Sequence, residues 1–221
     1  MSIKDLNEWD GIFCAKAKIL YPPTDPSHDF LHVCRVVKNA VYLAEKEKAD
    51  LNVVLPAAWF HDFVNVPKND RRRNQVSTLS AEAAVEYLDS VAYPAQYFDG
   101  IRHAIAAHSF SAGIKTETLE ADVVQDADRL DALGAIGIAR CFSTSALMQR
   151  PYYCPEDPWS QNRAPDDKTF TIDHFPVKLF KIAETMKTKT AQHEAKKRLA
   201  FMQDYLEQMK SEVSLFTERK N

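Results

Sequence analysis

The chain has 221 residues, of which 45% are hydrophobic and 27% are charged, and its formal net charge is −3 at pH 7. This composition is typical of a globular protein, and a charge so close to zero argues against the basic surface that binds a nucleic acid polymer. No segment approaches the roughly 20 uninterrupted apolar residues of a membrane span, and the first residues lack the basic-then-apolar order of a signal peptide. We therefore expect a cytoplasmic protein that binds neither nucleic acid polymers nor membranes.

Helices are predicted along almost the whole chain, because only five glycines occur and no regular alternation of apolar and polar residues indicates strands. Ser27 is a suitable N-cap for a helix that runs to about Lys48 and repeats apolar residues with helical spacing. A second helix begins near Asn52, has Pro56 in its first turn, and ends at the doublet His61-Asp62. Further helices are predicted over about Ser77 to Leu88, Pro94 to His108, Glu117 to Met148, Asp173 to Met186 and Thr190 to Leu215.

Two segments lack helical periodicity. The first, VPKNDRRRNQ, follows the His-Asp doublet and is rich in Lys and Arg. The second runs from Gln149 to Asp173, contains four prolines, and is too long for an ordinary connection, as lids often are. The sequence thus predicts an all-α protein with one domain over residues 1–221. Its core would span about 25–148, a lid-like loop 149–173, and C-terminal helices 173–215.

Several metal-ligating residue types stand at predicted helix ends. His32, the adjacent pair His61-Asp62 and a carboxylate of the segment DADRLD could converge on one divalent ion. Adjacent residues on a helix point about 100° apart, so both members of the doublet can reach one ion only near a helix end, which is where they are predicted. Asp126 and Asp128 point about 200° apart, so one site should use only one of them.

This ordered set resembles the HD-domain superfamily of metal-dependent phosphohydrolases, whose pattern is a His, a His-Asp doublet and a distant Asp. The matching segments are SHDFLHVCRVV, AAWFHDFVNVPK and VVQDADRLDALGAIGIAR, and RHAIAAHSFSAG with DHFPVKLFKIAETMKTKTA extends the resemblance to a bacterial HD hydrolase subgroup over most of residues 25–210. The resemblance implies an all-α HD-domain helical bundle with a single metal site. Its ligands would be His32, His61, Asp62 and Asp128, with Asp126 as the alternative to Asp128.

The resemblance also implies a metal that polarises a phosphoryl oxygen and lowers the pKa of a bound water. Asp62 would ligate the metal and orient that water. Asn65 stands where several HD phosphohydrolases have a Glu, so the general base is open between Asp131, Asp126 and His108. Mn²⁺ is favoured as the cofactor, and Mg²⁺, Fe²⁺, Co²⁺, Ni²⁺ and Zn²⁺ are alternatives because all tolerate mixed nitrogen and oxygen ligands.

The expected substrate is a small phosphorylated metabolite, with a nucleotide as the favoured class and a nucleoside triphosphate as the specific expectation from the resemblance. Lys68 and Arg71 follow the doublet and can bind phosphate charge, although a solvated loop is the other interpretation of these cations. His28 is a further candidate for a substrate contact and is equally suited to a helix cap. A homodimer is compatible with the sequence.

Two other functions compete with this interpretation. An HD-type di-iron oxygenase would need two additional histidines, and His103 and His108 lie about 140° apart around a helix, so they cannot easily bind one ion together. A non-catalytic nucleotide-binding or signalling module is the second alternative, and the complete set of four ligands argues against it. We therefore expect an enzyme of the phosphohydrolase class.

Overall fold

The computed structural model of this protein describes residues 5–21, 29–64, 75–109 and 112–214. The described part is helical and contains no strand, which confirms the all-α fold class. A 3₁₀ turn over Ala95–Tyr97 precedes the fifth α-helix, and a π-helix over Phe175–Leu179 precedes the eighth. The α-helices are α1 (Leu6–Leu20), α2 (Phe30–Glu47), α3 (Leu51–Phe60), α4 (Val76–Ser90), α5 (Phe98–His108), α6 (Leu119–Asp131), α7 (Gly134–Leu147), α8 (Phe180–Glu184) and α9 (Lys189–Ser214).

The chain divides into two compact units. The first unit comprises Met1–Arg129 and Lys187–Ala191, and the second comprises Leu130–Met186 and Gln192–Asn221. His32, His61 and Asp62 belong to the first unit, as do both candidates for the fourth ligand, Asp126 and Asp128. The expectation of a single domain over residues 1–221 stays a prediction.

Helix α1, which the sequence analysis does not predict, packs its aromatic side chains against the end of α3. Asp5 and Glu8 form a capping box at its start, in which each side chain accepts a hydrogen bond from the other residue's backbone N–H. Phe13 of α1 meets Phe60 of α3 edge to face at 5.3 Å between ring centroids, and both are fully buried. This contact fixes the residue that immediately precedes the His-Asp doublet.

Helix α2 begins later than predicted. Its N-cap is Asp29, whose Oδ1 accepts a hydrogen bond from the backbone N–H of His32 at 2.9 Å. The predicted N-cap, Ser27, lies outside the described residues, and the helix itself starts at Phe30. Asp29 thus sets the first turn of α2 and, with it, the direction of the His32 side chain.

Helix α3 contains Pro56 in its interior rather than in its first turn, because the helix begins at Leu51 after the N-cap Asp50. A proline has no N–H, so the carbonyl four residues earlier, that of Asn52, loses its intrahelical donor. The hydroxyl of Tyr93 donates a hydrogen bond to this oxygen at 2.6 Å and replaces the missing donor. The helix therefore continues to its end at the doublet.

The predicted helical stretch from Glu117 to Met148 is broken into α6 and α7. Gly134 opens α7 with a φ of +71°, a left-handed conformation that side chains rarely adopt. A Cβ atom on Gly134 would lie 3.1 Å from Cγ of Arg198, so the glycine also lets α9 approach closely. At Gly137 a Cβ would lie 2.2 Å from the carbonyl oxygen of Ala132. The missing side chain of this glycine therefore leaves room for the backbone of the preceding turn, not for a neighbouring helix.

No single described helix is long and apolar enough to cross a membrane. Only α6 and α7 taken together meet those requirements of length and composition, and the pair is bent at the break between them.

Residues 149–173, predicted as a lid-like loop, fold around the carboxylate of Asp173. This residue is 2% exposed and accepts hydrogen bonds from both terminal nitrogens of Arg163, from Oγ of Ser160 at 3.1 Å and from the backbone N–H of Asp166 at 2.7 Å. Burial alone would raise the pKa of Asp173, but these donors outweigh burial and hold its pKa below the usual value. The loop is thus ordered by one buried ion pair, and its role as a lid stays a prediction.

Candidate metal centre

His61 and Asp62 follow the last residue of α3 directly, as the sequence predicts. Nδ1 of His61 lies 2.9 Å from the carbonyl oxygen of Ala58. A carbonyl can only accept, so Nδ1 carries the proton and Nε2 presents its lone pair. The residue is 0% exposed, and Nε2 has no hydrogen-bond partner within the described part of the chain. A buried nitrogen without a partner is costly in a protein interior, and a metal ion would satisfy it.

The predicted ligands surround this nitrogen. Nε2 of His61 lies 3.4 Å from Oδ2 of Asp62 and 4.0 Å from Oδ1 of Asp128, and Nε2 of His32 lies 3.6 Å from the same Asp128 oxygen. Ligand atoms held about 2.0–2.2 Å from one ion lie about 2.8–3.1 Å from each other in octahedral geometry and about 3.3–3.6 Å in tetrahedral geometry. A contraction of a few tenths of an ångström therefore suffices, and the cluster fits a divalent metal ion.

His108, predicted as a candidate base and weighed as an additional ligand of a di-iron site, also belongs to this cluster. It is buried at the end of α5, and its Nδ1 lies 2.6 Å from the carbonyl oxygen of Ile105. This contact repeats the arrangement of His61, so Nε2 of His108 is again the nitrogen with a lone pair. It lies 3.6 Å from Oδ1 of Asp62. Side-chain atoms of His61, Asp62 and His108 form a second group that could hold an ion, in addition to His32, His61 and Asp128.

His103, the other histidine of α5, points elsewhere. Its Nε2 accepts a hydrogen bond from the backbone N–H of Glu117 at 2.9 Å. This agrees with the prediction that His103 and His108, about 140° apart around the helix, do not bind one ion together. The local sequence contains no signal that assigns His108 to the metal cluster rather than to a separate base.

Two amide side chains hold the helix that carries Asp128. Nδ2 of Asn39 in α2 donates a hydrogen bond to the carbonyl oxygen of Ala127 at 3.3 Å. Nε2 of Gln125 in α6 donates to the carbonyl oxygen of Ala107 at 2.7 Å. Because α2 carries His32 and α5 carries His108, these bonds join α6 to two of the other helices that supply the cluster. Neither α2 nor α5 can shift relative to α6 without loss of one of these hydrogen bonds.

Asp126 and Asp128 have separate surroundings, as their predicted divergence requires. Asp126 is fully buried and accepts hydrogen bonds from the backbone N–H groups of Lys187 and Thr188 and from the Thr188 hydroxyl, at 2.8–3.1 Å. It thereby anchors the segment that starts α9, and Asp128 is the carboxylate that faces the two histidines. The third acid, Asp131, accepts a hydrogen bond from Nη1 of Arg140 at 2.9 Å. Of the three base candidates, only His108 has a side-chain atom in the cluster.

Charge within the cluster is balanced between carboxylates and imidazoles. Burial alone would raise the pKa of Asp62, but His61 and His108 outweigh burial and hold it well below the usual value. The pKa of Asp128 is lowered in the same way. Burial alone would lower the pKa of His61, yet Asp62 and Asp128 raise it to about 9. Without a bound metal, the cluster therefore contains ionised carboxylates at neutral pH, and the Nε2 lone pair of His61 is protonated in addition to Nδ1 until a metal takes its place.

Metal binding should consequently depend on pH. A metal must displace the proton on Nε2 of His61, and this proton is present on most molecules at every pH below the His61 pKa of about 9. We expect the apparent affinity to increase about tenfold for each pH unit between about 7 and the His61 pKa, and to level off above it. Competition with a chromophoric chelator measures the affinity, and titration in two buffers of different ionisation enthalpy counts the released proton. An affinity that is constant across this range would contradict the assignment.

The predicted substrate contacts Lys68, Arg71 and His28 all lie outside the described residues, as does Asn65. Their roles in binding phosphate therefore stay predictions from the sequence.

The chain is similar to proteins of one family over most of its length. A family model described as HD domain matches residues 29–133, a range that contains His32, the doublet and Asp128. The uncharacterized protein YpgQ of Bacillus subtilis is 34% identical over 196 residues, which are 86% of this chain and 87% of that protein.

Solved structures extend this likeness to the three-dimensional fold. The crystal structure of Bacillus subtilis YpgQ in complex with ADP has a TM-score of 0.72 and 32% identity, and the match covers 92% of this chain and 97% of that one. An HD-superfamily hydrolase from Bacillus thuringiensis has a TM-score of 0.73 and 28% identity, and the match covers 94% and 98% of the two chains.

Proposed function

Because this chain belongs to the HD-domain superfamily, we propose that it is a metal-dependent phosphohydrolase that acts on a nucleotide. The observation that supports this most directly is the buried Nε2 of His61, which has no hydrogen-bond partner among the described residues and lies beside ionised carboxylates. In this proposal His32, His61, Asp62 and Asp128 are the metal ligands. The ion, when bound, supplies Lewis acidity toward a phosphoryl oxygen and lowers the pKa of a coordinated water.

The proposed roles of the side chains follow from their contacts. Asp62 lies between His61 and His108, at 3.4 and 3.6 Å, so it can orient a water molecule for attack while it ligates the ion. His108 is proposed as the general base, because its Nδ1 donates to a carbonyl and its Nε2 can accept the proton of that water. Lys68 and Arg71 are proposed to bind phosphate oxygens.

Support for a nucleotide substrate comes from the relative that was crystallised with ADP. A nucleoside triphosphate remains the specific expectation. Mn²⁺ is the proposed ion, since imidazole and carboxylate together suit this metal, and Mg²⁺, Fe²⁺, Co²⁺, Ni²⁺ and Zn²⁺ are the alternatives. A cytoplasmic location and a homodimer stay predictions from the sequence.

The test is a panel of nucleoside mono-, di- and triphosphates, incubated with the full chain and each of the six metals. Phosphate and pyrophosphate release are measured separately, so that the cleaved bond is identified together with the substrate. We expect release from at least one nucleotide, and loss of release when EDTA is added. A chain that contains its metal and releases neither product from any nucleotide would refute the proposal.

The two overlapping groups of ligand atoms favour one second candidate, an HD-type di-iron oxygenase. His61 belongs to both groups, and His108 extends the cluster beyond the four family ligands. Measurement of metal content per chain separates the candidates, because the hydrolase needs one ion and the oxygenase needs two irons. Binding of ADP without turnover would instead indicate a non-catalytic nucleotide-binding module.

A further inference from the structure

A second concentration of ionisable side chains lies in the second unit, around His174. This residue is the N-cap of the π-helix Phe175–Leu179, and its Nδ1 lies 2.9 Å from Oδ2 of Asp167. Both side chains are partly exposed, at 22% and 28%. The His-Asp pair thus stands at the surface, with the imidazole oriented by the carboxylate.

Two cations accompany this histidine. Lys178 follows it by four residues on the same helical segment, a spacing that places two side chains on one face. Arg150 comes from the other end of the loop, where the carbonyl oxygen of the next residue, Pro151, accepts hydrogen bonds from the backbone N–H and the hydroxyl of Thr171, each at 3.0 Å. Burial lowers the pKa of His174, and the charges of Lys178 and Arg150 lower it further. We name Arg150, His174 and Lys178 the basic cluster.

The basic cluster is short of negative charge. Within the described residues, no carboxylate lies at ion-pair distance from the guanidinium of Arg150 or the ammonium of Lys178. Asp167 is the carboxylate paired with His174. The two permanent cations of the cluster, Arg150 and Lys178, therefore share the single counter-charge of Asp167. Such an arrangement is unfavourable by itself and is relieved by a bound anion.

The backbone around the cluster is also unusual and well anchored. A π-helix is rare and occurs frequently at functional sites. Its wider turn is closed by the N–H of Phe180, which donates to the carbonyl oxygen of Phe175, five residues earlier. The residue before His174 is the buried Asp173, which is held by four donors from residues 160–166. The backbone from which the side chains of the cluster project is thus held in a defined conformation.

From these observations we propose that the basic cluster is an anion site that binds a phosphate group of a nucleotide. The fork of Arg150 suits two phosphate oxygens, and Lys178 adds a point charge. Nδ1 of His174 stays bonded to Asp167, and a bound phosphate would favour the imidazolium form, in which Nε2 can donate. Only the identity of the ligand rests on the proposed function, because the excess of positive charge exists whether or not the chain is a hydrolase.

The test is isothermal titration of the full chain with ADP, inorganic phosphate and adenosine, in EDTA so that no metal contributes. Lys178→Ala and Arg150→Ala remove cluster charges, and Lys196→Ala removes an equal charge from an exposed position on α9. We expect each cluster variant to weaken ADP binding about 10- to 100-fold, the effect of losing one charge-assisted contact. The Lys196→Ala variant should stay within about twofold of wild type, and adenosine should not compete with ADP.

The outcomes separate the two proposals. Unchanged ADP affinity in Lys178→Ala and Arg150→Ala, an equal loss in Lys196→Ala, or a wild type that binds neither ADP nor phosphate would each overturn the anion site. Binding of phosphate but not of ADP would restrict the site to free phosphate and overturn the nucleotide assignment. If the cluster variants weaken ADP binding while the wild type hydrolyses no nucleotide with any metal, the anion site stands and the proposed hydrolase function fails. Lys178 is exposed, so its variant should fold even if Arg150→Ala does not.

Discussion

Replacing Asp62 with alanine should lower nucleotide hydrolysis at least about 1000-fold, because loss of a direct metal ligand exceeds the 10- to 100-fold effect of an outer partner. The carboxylate lies 3.4 Å from Nε2 of His61 and 3.6 Å from Nε2 of His108, so its removal leaves the two imidazoles without the charge between them. Metal content should fall in parallel with activity. Phosphate release and metal analysis on the same protein sample measure both effects.

The fold should survive this change. Asp62 follows the end of α3 and its side chain is 32% exposed, so circular dichroism should show unaltered helical content. Asp204→Ala is a matched control, because it removes an exposed carboxylate from α9 and should leave activity and metal content as in wild type. An Asp62→Ala variant that retains its metal and more than about a tenth of the activity would refute the ligand assignment.

Replacing Asp173 with alanine should destabilise the second unit by about 3–5 kcal/mol, the usual cost of breaking a buried ion pair by removing one partner. The carboxylate is 2% exposed and accepts two hydrogen bonds from Arg163, which would be left without a counter-charge. The donors of Ser160 and Asp166 would lose the same acceptor. Urea unfolding monitored by circular dichroism measures the free energy of unfolding.

The control for this variant is Asp89→Ala, which removes an exposed carboxylate from the end of α4 and should change the free energy of unfolding by less than about 0.5 kcal/mol. Asp173→Asn keeps the shape of the side chain but loses its charge. Its loss of unfolding free energy should lie between the losses of Asp173→Ala and Asp89→Ala. If Asp173→Ala costs less than about 1 kcal/mol, the buried pair does not organise residues 149–173 and the region must be held by other contacts.

Local patterns in the sequence predict the fold class and most helix ends, because periodicity and capping are properties of neighbouring residues. The prediction fails where a residue far along the chain determines the local conformation. Pro56 is accepted inside α3 only because the hydroxyl of Tyr93, far along the chain, supplies the missing donor. Similarly, the break between α6 and α7 depends on Gly134 and its close contact with Arg198 of α9. No window of adjacent residues contains that information.

Prediction of the candidate site from the sequence is limited in the same way, by contacts between residues far apart in the chain. The doublet could be placed at a helix end from the sequence, and helix geometry alone required Asp126 and Asp128 to diverge. Which of them faces the histidines is decided by the backbone N–H groups of Lys187 and Thr188, which bind Asp126 from about sixty residues away. His108 enters the cluster through the packing of α5, for which its surrounding sequence has no distinguishing pattern.

The carbonyl contacts of His61 and His108 have a consequence for the electronic character of the site. In many metal centres the outer nitrogen of an imidazole donates to a carboxylate, which makes the ligand more basic and strengthens its bond to the ion. Here both rings donate to main-chain oxygens of Ala58 and Ile105, which are weaker acceptors. Less electron density therefore reaches the inner nitrogens. An ion at this site would keep more of its own charge, act as a stronger electrophile, and exchange more readily with the metals of its surroundings.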